Sequence, residues 1–314
     1  MCRHDEDERY SADRAMNPLR NNTTVQRGVL IGPAVLIIGG FMIAPLLLMV
    51  YISFLERQSI GGVHWGQHST EAYLRFLFER NLDDTLSLRL DYLGIFARSF
   101  WLSLSTTVLV LLVGFPTALY MAVQSAGYRN FLVLMVTVPF WTNLLIRNYA
   151  WILLLRDTGI ANITLQGLGL TDAPIQMLYT DFAVAVGLTY SFIPFMVLPI
   201  YASLEKLDPR LIEAGFDLYA NRARVFRHVV LPLAKPGIIA GCILVFVPCL
   251  GSYVTPALLG GGKTLMIGNL IQLQFGEAHN WPFGAALAFF LLAIVLLAMM
   301  IYALRVRRTP GVAP

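Results

Sequence analysis

The residue types that ordinarily do covalent or metal chemistry are sparse in this chain and badly spaced for it. His64 and His68 have Gly66 between them and read as parts of a surface loop, not as metal ligands. Gly260-Gly-Gly-Lys-Thr264 has the flavour of a phosphate-binding loop. The glycine that such a loop needs five places before Gly262 is Ala257, however, and no strand leads into it. No His-Glu-x-x-His or Cys-x-x-Cys occurs. Cys242 and Cys249 fall on one predicted helix, about 10 Å apart at 1.5 Å per residue, which is too far to bridge, and read as small packing residues. With no credible nucleotide, metal or cofactor site here, any ATP hydrolysis that serves this chain, with its ATP and Mg, is expected in a partner. The residues that do suggest a task are polar ones, between 208 and 232.

That segment reads as two short amphipathic helices. Asp208-Pro209 is a helix start, the carboxylate accepting from orphan N–H groups and the proline already holding a helical φ. Leu211, Gly215 and Leu218 recur at helical spacing, with Arg210, Glu213 and Asp217 on other faces. A second helix is predicted from Asn221, its apolar strip Val225, Phe226, Val229 and Val230 beside Arg222, Arg224 and Arg227. Such amphipathic sequence docks either a protein partner or lipid headgroups.

The elements that position it are membrane spans. Of the 314 residues, 57% are hydrophobic and 13% charged, and mean hydropathy is +0.64; a soluble domain carries about a quarter charged residues. The apolar residues fall into uncharged gaps at 28–55, 99–128, 130–146, 182–204, 236–262 and 278–304. About 20 residues of helix cross the hydrocarbon, so the third gap needs Arg147 at an interface and continuation to Leu155. The prediction is an all-α integral membrane protein of six spans: Val29–Phe54, Ser99–Val123, Phe131–Leu155, Phe182–Ser203 interrupted by Pro194 and Pro199, Pro236–Leu259 with proline in its first turn, and Pro282–Leu304. Short surface helices are predicted at Tyr73–Phe78 and Leu86–Phe96. With both termini inside, 15 of the 23 Lys and Arg lie on the cytoplasmic side. The division is therefore a cytoplasmic tail 1–27, a membrane domain 28–308 whose inner loop is 204–235, and a tail 309–314. The net charge of +4 is accounted for by loops flanking spans and calls for no nucleic acid.

Glu213-Ala214, followed by Leu231-Pro232 at the kept spacing, resembles the "EAA" loop of binding-protein-dependent ABC importer permeases. The third position is Gly215, and Tyr219 stands where that pattern has a turn glycine. Pro139-Phe-Trp-Thr-Asn-Leu-Leu-Ile-Arg147, Pro232-Leu-Ala-Lys-Pro-Gly-Ile-Ile-Ala-Gly-Cys242, and Met266-Ile-Gly-Asn269 with Asn280-Trp-Pro-Phe-Gly284 are similar to the spermidine/putrescine branch. The resemblance implies a type I ABC importer permease of the bacterial inner membrane. Its partners would be two ATPase subunits, a second, paralogous permease, an extracytoplasmic solute-binding protein and membrane lipid. Asp208, Leu211, Glu213, Ala214, Gly215, Leu218, Tyr219 and Pro232 would couple to the ATPase. A cationic cargo calls for acids or aromatic faces. Carboxylates are absent between the predicted interfaces, leaving Trp141, Asn143, Tyr149, Tyr190, Phe192 and Tyr253 as candidates for the path. The rival is an ion-coupled secondary carrier, which should show inverted repeats and buried ionisable residues.

Overall fold

In the computed structural model, residues 23–58, 61–76, 78–80, 86–88, 90–263 and 265–307 are described. Most of the N-terminal tail, the whole C-terminal tail and Thr264 lie outside them.

The first span, α1 (Thr23–Ser53), opens on a polar turn containing Gln26 and Arg27, is apolar beyond it, and carries Pro33 and Pro45 internally. Between the first two spans the chain forms two strand pairs, and of the predicted surface helix at Tyr73–Phe78 the start is helical while Phe78 opens a strand. An antiparallel hairpin of β1 (Leu55–Arg57) and β2 (Val63–His68) precedes the single turn α2 (Glu71–Leu74), and β3 (Phe78–Arg80) pairs with β4 (Leu86–Leu88). Tyr51 explains part of this: its ring stacks on Trp65 at 6.3 Å and meets His68 edge-on at 5.9 Å, fixing the first hairpin against the end of α1. The predicted helix at Leu86–Phe96 divides, since Leu86–Leu88 pair as a strand and residues from Asp91 open the next span, α3 (Asp91–Ala122).

The predicted third span is broken. It comprises α4 (Ala126–Trp141) and α5 (Leu144–Leu155), the latter running on into α6 (Ile160–Gly167), with a bend of 90° between α4 and the α5–α6 segment. The break is local chemistry. Thr142 is extended and its hydroxyl donates to the Pro139 carbonyl at 2.7 Å, while the Asn143 side chain accepts from the Leu145 N–H at 2.8 Å and so starts a new helix. The fourth span, α7 (Asp181–Leu204), by contrast, runs through Pro194 and Pro199 without interruption, because tightly packed neighbours in a membrane tolerate the missing donors.

The loop 204–235 contributes α8 (Pro209–Asp217) and α9 (Arg222–Val225). A π turn, Phe226–Val230, joins α9 to α10 (Leu231–Leu250), so the fifth span starts well before Pro236 and ends before Leu259. Pro236 is consequently internal. After α10 come α11 (Val254–Gly260) and α12 (Ile267–Phe275), and α13 (Trp281–Arg307) is the last span. Among the described residues five helices are long and apolar enough to cross a membrane, six if the bent pair is one span.

Helices α3, α7 and α10 form the centre, burying Val110, Ala118, Met196, Val197, Ile200, Ala234 and Val245. They can approach closely because α10 turns glycines towards α7. A Cβ on Gly237 would lie 2.4 Å from the Pro199 carbonyl oxygen, and one on Gly241 2.7 Å from the Met196 sulfur. Helices α1 and α13 pack on one another, and only 6% of the apolar window of each is buried. An apolar groove of 570 Å³ separates α13 from α3 and α10, lined by Phe100, Ile239, Phe246 and Ile294 among others.

Candidate functional site

At the inner end, Asp208 Oδ1 accepts the Arg210 N–H at 3.0 Å with Pro209 in the first turn, so α8 begins where the sequence places it. Its inward face is Ile212, packed against the central cluster, and Gly215, where an added Cβ would stand 3.1 Å from a methyl of Val225. This corrects the predicted strip: Gly215 is the close-approach point between α8 and α9, not part of an outward surface. Leu211, Ala214 and Leu218, at i, i+3 and i+7, are all exposed, Leu218 at 81%, and Glu213 is exposed on another side of the helix.

The turn between the two helices keeps its glycine-type geometry without the glycine. The Tyr219 N–H donates to the Phe216 carbonyl at 2.9 Å and the Ala220 N–H to the Gly215 carbonyl at 3.1 Å. Together these are the paired bonds of a Schellman ending. Tyr219 is left-handed, with φ 56°, and 95% exposed. For a residue with a Cβ, that conformation costs roughly 1–2 kcal/mol.

Asn221 then caps α9, its Oδ1 accepting the Arg224 N–H at 2.9 Å. The Leu231 N–H reaches back to the Phe226 carbonyl, the wider π spacing, immediately before Pro232, which has no N–H to give. Pro232 is therefore inside a helix continuous from Arg222 to Leu250, not at the end of a loop. Phe226 meets Phe115 of α3 edge-on at 5.7 Å. On the same side Arg129, at the start of α4, pairs with Glu205 at 3.2 Å, tying that helix to the end of α7.

The candidate path residues are distributed over elements in mutual contact, α5, α7 and α11, with Trp141 at the end of α4. Trp141 is 79% exposed, and Tyr149 and Tyr253 are exposed too. Asn143 is occupied as the cap of α5. The Tyr190 ring packs edge-on against Trp151 at 5.7 Å, and Phe192 packs on Phe195. Tyr253 uses its carbonyl to accept from Asn269 at 2.7 Å. Among the described residues no ring pair joins two of these six.

Sequence reasoning missed Arg147. Read there as an interfacial residue, it lies just past the break, one guanidinium nitrogen 3.4 Å from the Pro139 carbonyl and its Nε buried without a partner. It thus places positive charge at the C-terminal, negative end of the α4 dipole. The cap signal of Asn143 inside an apolar run was the clue to that geometry. Asp181 is not free for a cation either, since it pairs with Arg98 at 2.6 Å, and the same guanidinium reaches the Lys263 carbonyl at 3.4 Å. No cluster of three potential metal ligands occurs among the described residues. The lysine-bearing glycine run forms a turn after α11, with Gly261 and Gly262 at positive φ, and not a strand-to-helix phosphate loop.

Residues 92–310 match the family described as binding-protein-dependent transport system inner membrane component. The chain is 40% identical to the spermidine/putrescine transport system permease protein PotB of Haemophilus influenzae, over 83% of this chain and 87% of that one. It is 38% identical to the PotB of Escherichia coli K12, over 81% and 92%. A bacterial ABC transporter involved in the import of the acidic polysaccharide alginate has a chain of the same fold, with a TM-score of 0.65 at 17% identity over 91% of this chain and 98% of that one.

Proposed function

Because this chain belongs to the binding-protein-dependent transport system inner membrane component family, we propose that it forms half of the path of an ATP-driven polyamine importer. The cargo is spermidine or putrescine, as the names of its relatives indicate. The chain is a multi-pass inner-membrane permease and not itself an enzyme. Two ATPase subunits bind ATP and Mg, a second, paralogous permease completes the path, and an extracytoplasmic receptor delivers the solute. Both termini are cytoplasmic, in keeping with the distribution of Lys and Arg.

The observation that carries the coupling is the join between an exposed apolar stripe, Leu211–Ala214–Leu218, and a helix that runs unbroken from Arg222 into the centre of the bundle. A groove on the ATPase that receives α8 moves it when ATP closes the ATPase pair. The Gly215–Val225 contact passes that motion to α9, and the continuous helix carries it to the α7–α10 packing around Gly237 and Gly241. Alternation between outward and inward access follows from shifting that packed core as a body. In transit, exposed faces such as Trp141 and Tyr253 meet the ammonium groups. The secondary-carrier reading is disfavoured by the family match and by the ABC transporter permeases among the chain's relatives.

Proteoliposomes containing the receptor, both permeases and the ATPase should accumulate labelled spermidine or putrescine only with ATP inside the compartment that holds the ATPase. Uptake of neither polyamine would refute the cargo while leaving the permease reading in place.

A further inference from the structure

The break between α4 and α5 has the chemistry of a cation site, and the chain fills it with a charge of its own. An α-helix leaves the carbonyls of its last turn without helical partners, and α4 stops at Trp141 because Thr142 is extended. Those carbonyls carry the negative end of the α4 dipole. Where membrane helices are interrupted in transporters, such C-terminal ends coordinate cations. Two aromatic rings suited to an ammonium group belong to the same region. Trp141 is 79% exposed at the end of α4, and Tyr190 on α7 is close enough to Arg147 to act on its charge.

Arg147 reaches this helix end but is poorly held there. Its contact with the Pro139 carbonyl is 3.4 Å long, and its Nε is buried without a partner. The bend does not depend on that contact. Thr142 donates to the same Pro139 carbonyl at 2.7 Å, and Asn143 caps α5 at 2.8 Å, so two shorter bonds already fix the geometry. A guanidinium that braced the break would pair at charge-assisted distances and through more of its donors. One held by a single long bond is displaceable. An arriving ammonium group cannot share the carbonyl end with it, because two like charges in contact repel far more in a partly buried site than in bulk water.

We infer that the α4–α5 break is the amine-binding site of this chain and that Arg147 is its tethered competitor, occupying the site until a polyamine displaces it. The inference rests on the polyamine-importer reading above. It adds an address for the cargo within the chain and accounts for a positive charge on a cation's route. A site on a transport path must bind weakly enough to release, and a competitor that returns to the same carbonyls drives the cargo onward.

The test measures equilibrium binding of labelled spermidine to the assembled transporter in nanodiscs, without the receptor, alongside thermal unfolding of the same particles. Arg147→Gln should tighten binding about tenfold at unchanged Tm, the gain expected of a site blocked about nine-tenths of the time. Arg147→Lys, which keeps a tethered cation, should stay within roughly threefold of the parent. Adding Trp141→Ala to Arg147→Gln should remove most of the gain. Parental or weaker affinity in Arg147→Gln would overturn the inference, and a lower Tm with that result would show Arg147 to be a brace. An equal gain in Arg147→Lys would overturn it too, since charge would then not be what excludes the cargo. So would a gain untouched by Trp141→Ala, which would place the site away from the break. Absence of ATP-driven polyamine uptake by the parent transporter in proteoliposomes would instead bring down the importer reading.

Discussion

Glu213 lies within α8 and Leu218 caps its C-terminal end, and both are exposed. Leu218, at 81% exposure, supports nothing inside the chain, so Leu218→Asp should fold normally and lose its partner. Truncating an interface anchor costs on the order of 2 kcal/mol, and the expected readout is loss of ATPase copurification. Glu213→Ala should leave much of the assembly in place and lower uptake far more than basal ATP hydrolysis. Normal solute-stimulated hydrolysis and uptake in the double variant would show that α8 does not couple. At this scale the caps were legible, because Asp208 and Asn221 act on N–H groups two or three residues away. Gly215 was not, because its orientation is set by Val225 on the next helix. Tyr219 was not either, since its residue type argues against the conformation it adopts.

Between Arg222 and Leu250 the helix is continuous, the proposed lever, and its continuity through Pro232 depends on a π turn. A Gly-Gly insertion between Val225 and Phe226 should break that lever without touching the docking face. The expected result is an assembled complex that hydrolyses ATP with little solute stimulation and little uptake. Coupled transport at the parental rate would mean that force passes by another route, such as the Arg129–Glu205 pair at the inner end of α4. The hydropathy pattern located this span and misplaced its start by more than ten residues, because the charged residues of its inner half look like loop. The same limitation applied to the broken span. Pro139, Thr142 and Asn143 were visible in the sequence, but the 90° bend depends on how Thr142 and Asn143 redirect local hydrogen bonds. The small hairpins escaped notice because Tyr51 organises one of them from a neighbouring helix.

The arrangement of the whole molecule in the membrane is open to direct measurement. In a background lacking native cysteines, Lys263→Cys should react with an impermeant thiol reagent from outside intact cells, and Arg222→Cys should not. Labelling of Arg222→Cys in sealed cells would reverse the orientation. The orientation under test is the one the distribution of Lys and Arg along the chain predicts. Membrane residence and the number of spans are readable from sequence, since transfer of each segment into hydrocarbon is close to a sum over its own residues. The amphipathic inner segment was legible too, through its caps and spacing. Only the tertiary structure decided that α3, α7 and α10 form the centre while α1 and α13 stand outside it, with the outer pair the more apolar at mean hydropathies of 2.6 and 2.8 against 1.9, 1.9 and 2.1. That choice depends on what each small residue faces. Gly237 matters because the Pro199 carbonyl lies opposite it, and Gly241 because Met196 does. Such pairings are properties of two distant segments at once, and neither segment specifies them alone.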